Sequence, residues 1–362
     1  LTGGGTGGHI YPALALAKQI KEHDPASQIL YIGSINGLEA DIVPKAQIDF
    51  EAIEISGFKR KVSFDNVKTI YRFLKAVSRS KKIISEFQAD VVVGTGGYVC
   101  GPVVYAAHKL GIPTIIHEQN VIPGLTNKFL SRYATRIAVS FTGSAGYFPK
   151  DKVVVTGNPR ATEVYKADGI RGRASLKVYP GRKIVLVVGG SRGAKAINQA
   201  FLNAVPYLKE RKQLHFVYVT GDVHYKTVTE RLNELETIPD NVSVYPFLYN
   251  MPDVLATTDL IINRAGASFL AEITSLGIPS ILIPSPYVTN NHQEKNARWL
   301  EQNGAACVLL EQELNENTLL HAVDNLMGDA QSWLQMKEAA RKLGEPLAAE
   351  KVYLEMQTLV SK

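Results

Sequence analysis

Five glycines crowd the seven residues Thr2-Gly3-Gly4-Gly5-Thr6-Gly7-Gly8, and a histidine, His9, follows them. Glycine lets a backbone approach a ligand closely and take up positive φ. Pro12-Ala13-Leu14-Ala15-Leu16-Ala17-Lys18 then reads as the first turns of a helix, with Pro12 near its start. A glycine loop feeding a helix N-terminus is an anion site, because free N–H groups and the helix dipole both favour negative charge. His9 beside such a site is a candidate for general base or ligand contact; the bland reading is a histidine that caps or packs.

Other loops carry chemistry of the same kind. His117-Glu118-Gln119-Asn120 follows the apolar run Thr114–Ile116, which places four polar residues at the carboxyl edge of a sheet. Gly189-Gly190-Ser191-Arg192-Gly193 is followed by Ala194 and Lys195, so it lacks the Lys-Ser/Thr ending of a P-loop and an ATPase reading fails. A diphosphate against the helix beginning near Ala194 stays open, with Ser191 as hydroxyl donor. Gly266–Glu272 sets Ser268 and Glu272 four apart at another helix start, where a carboxylate suits a ribose diol or sugar hydroxyls and the alternative is simple capping. Asn290–Asn296 is either a solvated helix start or a further wall of a sugar site.

The opening loop formally contains Gly3-x-Gly5-x-x-Gly8, the dinucleotide-binding spacing. A dehydrogenase should also place an acid at the end of the second strand, and here that strand ends Tyr31-Ile32-Gly33-Ser34. No Cys/His metal spacing and no Asp-x-Asp pair is present, so neither a metal nor another cofactor is expected.

These residues need a scaffold, and the chain supplies two. At 362 residues it exceeds one ordinary core, and its 45% hydrophobic and 20% charged composition is that of a soluble globular protein. Short β-branched runs alternate with helical stretches: Gln28–Ile32, Ala52–Ile55, Asp90–Val93, Thr114–His117, Arg136–Val139 and Val153–Val155, then Lys183–Val188, His215–Val219, Val242–Tyr245, Leu260–Ile262, Ser280–Ile283 and Ala306–Leu309. Such runs predict parallel sheets covered on both faces. A weak internal repeat divides them, since each half has glycine loops after its first and fourth units and then Leu-Gly-Ile-Pro, at Leu110–Pro113 and Leu276–Pro279. The expected fold is α/β, two Rossmann-like doubly wound domains facing a cleft: residues 1–158, residues 159–345, and a terminal helix over 346–362. The chain begins almost on the glycine loop without an initiator Met, so a first strand cut short is the expectation. Two cysteines, Cys100 and Cys307, make no disulfide framework, and neither a membrane-spanning run nor a signal-peptide pattern appears; a reducing cytoplasm is the simple reading.

The net charge of +6 is local. Between Lys59 and Lys82 nine basic residues face one acid, Asp65, a net +8 that leaves −2 for the rest of the chain. Lys68, Arg72, Lys75, Arg79 and Lys82 recur at steps of four and three and share one helical face. Val67, Ile70, Tyr71, Phe73, Leu74, Val77 and Ile84 lie mostly on the other, expected to pack on the sheet. The basic face, with Lys59-Arg60-Lys61 before it, suits an anionic bilayer at about 1 kcal/mol per nearby basic residue. Nucleic acid is the weaker competitor, because no helix-turn-helix, zinc or stacking motif accompanies the patch.

Taken in order, Gly3–His9, Gly94–Pro102, His117–Asn120 with Pro123-Gly124-Leu125-Thr126-Asn127, Gly157–Arg160, Gly189–Ala194, Gly266–Glu272 and His292–Ala297 closely resemble the MurG family of peptidoglycan glycosyltransferases over nearly the whole chain. The resemblance implies a GT-B arrangement whose C-terminal helix crosses back to the first domain. It implies transfer of N-acetylglucosamine from UDP-N-acetylglucosamine to lipid I, the undecaprenyl-diphosphate-linked muramyl pentapeptide, and peripheral attachment to the cytoplasmic face of the cell membrane. By the same match Ser191 contacts the diphosphate and Glu272 the ribose. The backbone at Leu248 takes the uracil, and the turn Ala267, Ser268, Phe269, Leu270 and Ala271 the phosphates. Gln293 reads the sugar hydroxyls. Thr6, Gly7, Gly8 and Asn120 serve the acceptor side, and Arg160 stands near the family's hinge arginine. His9 is then the first candidate base, Glu118 its rival, and Asn120 orients the acceptor. A UDP-N-acetylglucosamine 2-epimerase of the same architecture and an NAD-dependent oxidoreductase remain the alternatives.

Overall fold

Strands buried on both faces need helices on both sides, and each half of the chain supplies them. The computed structural model describes residues 1–56, 65–190, 193–235 and 237–360, with backbone alone for 65–69. The chain divides into two compact units, Leu1–Thr162 with Leu347–Lys362, and Glu163–Pro346.

The first unit contains β1 (Leu30–Ser34), β2 (Asp49–Ile53), β3 (Val92–Gly94), β4 (Thr114–Glu118), β5 (Arg136–Val139) and β6 (Val153–Val155). All pairs are parallel, in the orders β2-β1 and β3-β4-β5-β6. Leu1 and Thr2 join the two sets: the Thr2 amide donates to the Val93 carbonyl at 2.9 Å, and the Ile32 amide donates to the Leu1 carbonyl at 2.9 Å. The strand order therefore reverses between this opening segment and β3. β2 begins at Asp49 rather than near Ala52, because this strand alternates polar and apolar residues against β1.

Its helices are α1 (Gly7–His23), α2 (Glu39–Lys45), α3 (Asp65–Phe87), α4 (Cys100–Lys109) and α5 (Leu125–Leu130). α1 starts five residues before Pro12, with Thr6 as N-cap in extended conformation (φ −147°, ψ 155°). Gly7, Gly8 and His9 thus form the helix's first turn, and the interior Pro12 removes the N–H that would meet the Gly8 carbonyl. One sheet face packs Val93, Ile115 and Ala138 against Leu16 and Ile20 of α1 and against Val352, Met356 and Leu359 of the C-terminal helix Ala348–Val360. The opposite face packs Val92, Ile116 and Ile137 against Val77 and Ile84 of α3, Val103 and Val104 of α4, and Leu130 of α5. Each Val, Leu, Ile or Met side chain among these contributes about 1.5–3 kcal/mol when fully buried.

The C-terminal helix is held to α1 by polar contacts as well. Glu350 accepts from Gln19 Nε2 at 2.8 Å and meets His23 Nε2 at 2.5 Å, and the His23 ring stacks on Tyr353 at 4.7 Å. The Ala349 amide donates to Thr162 Oγ1 at 3.1 Å, and the Arg160 guanidinium lies over the Tyr11 ring at 5.5 Å, so the chain leaves this unit after Thr162.

α3 departs from its helical projection. Val77 and Ile84 are buried, but Ile70, Tyr71 and Leu74 are 53%, 69% and 59% exposed. The expected basic face is exposed, but its cations have partners. Lys75 pairs with Glu54 at 3.4 Å and Arg79 with Glu51 at 2.9 Å, both on or just past β2, while Arg72 donates to Ser56 at 3.5 Å and Lys82 lies 3.6 Å from Glu86. The side chain of Lys68 and all of Lys59–Lys61 lie outside the described residues.

The second unit contains β7 (Lys183–Val188), β8 (Leu214–Val219), β9 (Val242–Tyr245), β10 (Leu260–Asn263), β11 (Ser280–Leu282) and β12 (Cys307–Val308), all parallel in the order β12-β11-β10-β7-β8-β9. Its order reverses between β7 and β10. In such sheets ligands bind beyond the carboxyl ends of the strands at the reversal.

Candidate active site

The reversal in the first unit brings its two glycine loops together. The Gly4 amide donates to the Gly96 carbonyl at 3.1 Å, and Gly97, at φ +85°, sits so close that a Cβ there would lie 2.2 Å from the Gly4 carbonyl oxygen. His9 stands at the junction. Its Nδ1 lies 2.9 Å from the Gly4 carbonyl and 3.3 Å from Thr6 Oγ1. A carbonyl only accepts, so Nδ1 carries the proton and Nε2 is the acceptor nitrogen of the neutral ring. Gly96 leaves room beside it: a Cβ there would lie 2.7 Å from His9 Cδ2 and 3.1 Å from Nε2. Thr95 Oγ1 fixes the base of the residue by donating to the His9 carbonyl at 2.6 Å.

β4 delivers the second cluster. Glu118 is 2% exposed. Its Oε1 accepts from the Asn120 amide at 2.9 Å and Asn120 Nδ2 at 3.3 Å, and its Oε2 from the Gly124 amide at 3.1 Å and Asn127 Nδ2 at 2.8 Å. Four donors match the four lone-pair directions of a carboxylate. The rival base of the sequence reading therefore serves the loop that presents Asn120 and offers no open face to a substrate. His117 is buried likewise. Its Nε2 donates to the Gly157 carbonyl at 2.9 Å, Gln119 Nε2 lies 3.0 Å from its Nδ1, and burial pulls its pKa down to about 4. Gln119 Nε2 also donates to the Thr95 carbonyl at 2.5 Å, tying β4 to the second glycine loop.

In the second unit a cavity of about 650 Å³ lies beyond the ends of β7 and β10, within the range of ligand sites. Gly189, Gly193 and Lys195 form one side, and Arg264, Gln293 and Tyr287 others. Gln293 Oε1 accepts from the Ser285 amide at 2.9 Å, which fixes its amide. The helix Ala267–Leu276 opens on Gly266. Its first turn is closed by the Leu270 amide donating to the Gly266 carbonyl at 3.0 Å, so the donors left at this helix start are the amides of Ala267, Ser268 and Phe269. The Leu270 amide is taken up by that bond, and the side chains of Leu270 and Ala271 are buried. Glu272, one turn on from Ser268, and Leu248, between β9 and the next helix, are both buried. Ser191 lies outside the described residues.

Sequence reasoning passed over three participants, Arg264, Glu311 and Glu39. Arg264 stands two residues before the Gly266–Glu272 turn, but only the fold shows its guanidinium paired with Glu311 at 2.5 Å and bonded to the Ile283 carbonyl at 3.1 Å. Glu39 is the third. Its signal was the glycine pair Gly33 and Gly37 just before it, which make room for its side chain.

Residues 1–139 match the glycosyltransferase family 28 N-terminal domain, and residues 184–352 the family 28 C-terminal domain. The UDP-N-acetylglucosamine–N-acetylmuramyl-(pentapeptide) pyrophosphoryl-undecaprenol N-acetylglucosamine transferase of Bacillus cytotoxicus is 57% identical over 362 residues, covering 100% of this chain and 99% of the relative. The transferase of the same name from Halalkalibacterium halodurans is 56% identical over 354 residues, covering 98% and 97%. The crystal structure of Acinetobacter baumannii MurG is similar with a TM-score of 0.81 at 30% identity, covering 99% and 98%. A UDP-GlcNAc 2-epimerase from Neisseria meningitidis, with a TM-score of 0.67 at 14% identity over 97% and 96%, shares the fold alone. With more than half of its residues shared along its whole length, this chain belongs to the MurG family of glycosyltransferases.

Proposed function

We propose that this chain is an inverting transferase that moves N-acetylglucosamine from UDP-N-acetylglucosamine to the C4 hydroxyl of the muramyl sugar of lipid I, giving lipid II. Its relatives at 56–57% identity carry the corresponding transferase name, whereas the epimerases share only the fold, which favours the transferase over the epimerase alternative. The observation that carries the chemistry is His9, held by the Gly4 carbonyl with Nε2 as its acceptor nitrogen. The acceptor hydroxyl attacks the anomeric carbon and passes its proton to His9 Nε2 as the bond from that carbon to the UDP oxygen breaks. Asn120, clamped by Glu118, orients the acceptor. The departing UDP carries negative charge, which the amides of Ala267, Ser268 and Phe269 and the Arg264 guanidinium oppose. Ser191 joins them on the family match, with Glu272 on the ribose, Leu248 at the uracil and Gln293 on the sugar.

The same reading places the enzyme on the anionic cytoplasmic face of the cell membrane. Ile70, Tyr71 and Leu74 on α3 and Leu125 and Phe129 on α5 are exposed, and Phe73 meets Phe129 with ring centroids 6.3 Å apart. Arg72, Lys75 and Lys82 stand on the same helix. An apolar surface edged by cations suits a bilayer better than a nucleic acid. Among the described residues no helix is long and apolar enough to cross a membrane.

Incubation with labelled UDP-N-acetylglucosamine, with and without a lipid I analogue, tests the assignment. Acceptor-dependent release of UDP supports it; release without acceptor points to the epimerase, and turnover only with a nicotinamide cofactor to the oxidoreductase. Near-normal turnover by His9→Ala would remove the base.

A further inference from the structure

Glu39 is a carboxylate with no solvent exposure, at the start of α2. Among the described residues no Lys, Arg or His pairs with it. Its Oε1 accepts from the Ser34 amide at 3.0 Å and the Ser34 hydroxyl at 2.6 Å, and its Oε2 accepts from the Gly5 amide at 3.1 Å. The chain has been built around this side chain. A Cβ on Gly4 would lie 2.3 Å from Oε1, one on Gly37 2.2 Å from Oε1, and one on Gly33 2.7 Å from Glu39 Cγ. A buried carboxylate without a cation is costly, so a glycine cradle and three donors assembled for one deserve a functional explanation.

The geometry lies in a single peptide group. Its N–H belongs to Gly5 and points at Glu39; its carbonyl belongs to Gly4 and points at His9 Nδ1, 2.9 Å away. We propose that Glu39 is a positioning residue for catalysis, acting on His9 through the Gly4–Gly5 peptide as a relayed carboxylate–histidine pair. The carboxylate draws the peptide N–H, polarises the peptide and makes the Gly4 carbonyl a stronger acceptor. That carbonyl holds the Nδ1–H tautomer and stabilises the imidazolium formed when Nε2 takes the acceptor's proton. A directly bonded aspartate does this work in hydrolase triads; here a peptide stands between.

Other ionisable groups surround the two glycine loops. The Tyr31 hydroxyl donates to the Gly3 carbonyl at 2.6 Å, and the Cys100 thiol donates to the Gly96 carbonyl at 3.0 Å. Burial keeps both protonated, and keeps His117 neutral above about pH 4. Tyr98 lies against Gly5 with its hydroxyl 3.4 Å from Ser34 Oγ, Glu118 serves the loop of residues 120–127, and Arg160 rests on Tyr11, which flanks Gly7. Among these, Glu39 is the charge bonded to the Gly4–Gly5 peptide.

The proposal rests on His9 as the base, and its test separates the two. The full chain is labelled with ¹³C at histidine Cε1, the His9 resonance is identified by its loss in His9→Ala, and its titration is followed in wild type and Glu39→Gln. The midpoint falls by roughly 0.5–1 pH unit in E39Q. The acid limb of the pH–kcat/KM profile moves down with it, and plateau kcat drops about tenfold, while binding of UDP-N-acetylglucosamine alone is unchanged. If turnover falls but midpoint and limb stay put, Glu39 is merely structural and the relay is refuted. If E39Q does not fold, Glu39→Asp carries the test, since its shorter side chain falls short of Gly5 and the midpoint must again drop. Turnover retained by His9→Ala would sink the base reading by itself, whatever the titration gives.

Discussion

Gly97→Ala probes the join between the two glycine loops without touching a polar side chain. Gly97 sits at φ +85°, a conformation that costs an L-residue about 1–2 kcal/mol. Its new Cβ would lie 2.2 Å from the Gly4 carbonyl oxygen and 3.0 Å from the Gly4 carbonyl carbon, both backbone atoms. To restore a contact of 3.0 Å, that oxygen must retreat by about 0.8 Å. The same oxygen is the partner of His9 Nδ1 at 2.9 Å, so the imidazole loses its aim along with its acceptor. A displacement near 1 Å at a reacting group costs about 100-fold in rate, or about 2.7 kcal/mol in the barrier. The expected outcome is therefore a fall in kcat of about two orders of magnitude, a loss of ~2–3 kcal/mol in stability, and unchanged affinity for UDP-N-acetylglucosamine. Donor affinity is spared because the residues of that cavity belong to the second unit. Turnover of labelled donor with a lipid I analogue, calorimetric donor binding and thermal unfolding measure the three. A folded G97A enzyme within about threefold of wild-type kcat would show that the Gly4 carbonyl does not set the histidine.

Glu118→Gln turns one acceptor oxygen into an NH₂ that faces two buried donors, so the enzyme should lose ~2–4 kcal/mol of stability and show a raised KM for the acceptor more than a lowered kcat; a folded, equally stable variant with kcat abolished at every pH would restore Glu118 as base. His117 has its pKa pulled down to about 4 by burial, against 6.5 unfolded, so the unfolded chain binds the extra proton between those values. Stability then rises with pH across that window and is lost on acidification by up to roughly 3 kcal/mol, a slope that His117→Asn should flatten in unfolding curves taken at several pH values. Tyr71→Glu with Leu74→Glu should leave stability within about 0.5 kcal/mol of wild type, because both side chains are exposed, yet reduce binding to anionic vesicles several-fold; undiminished vesicle binding would move the membrane surface elsewhere.

Much of this architecture was legible from the strands outward. Runs such as Arg136–Val139 and Lys183–Val188 coincide with β5 and β7, because a strand buried on both faces is apolar at every position after its charged first residue. The edge strand β2 was displaced in the reading, since Asp49 and Ala52 are exposed and only Ile53 is fully buried. α1 began earlier than Pro12 implied, because Thr6 is the extended residue before it and glycines accept a helical first turn. The helical projection of α3 separated charged from apolar residues correctly, but it assumed one packing partner along the whole helix. Among its described side chains, Phe73 packs partly against the core and Val77 and Ile84 of the later turns are buried in it.

The sequence alone determined the parallel α/β halves, the positions of the glycine loops and the placement of His9, because burial pattern and backbone permissiveness are local properties of residue type. The tertiary structure decided what each carboxylate does. Glu118 became the clamp of its own loop, and Glu39, 34 residues away from Gly5, became the partner of the opening loop. A buried polar group must be satisfied by whichever donors the fold brings within 3 Å or so, and donors from distant segments leave no trace in the local pattern.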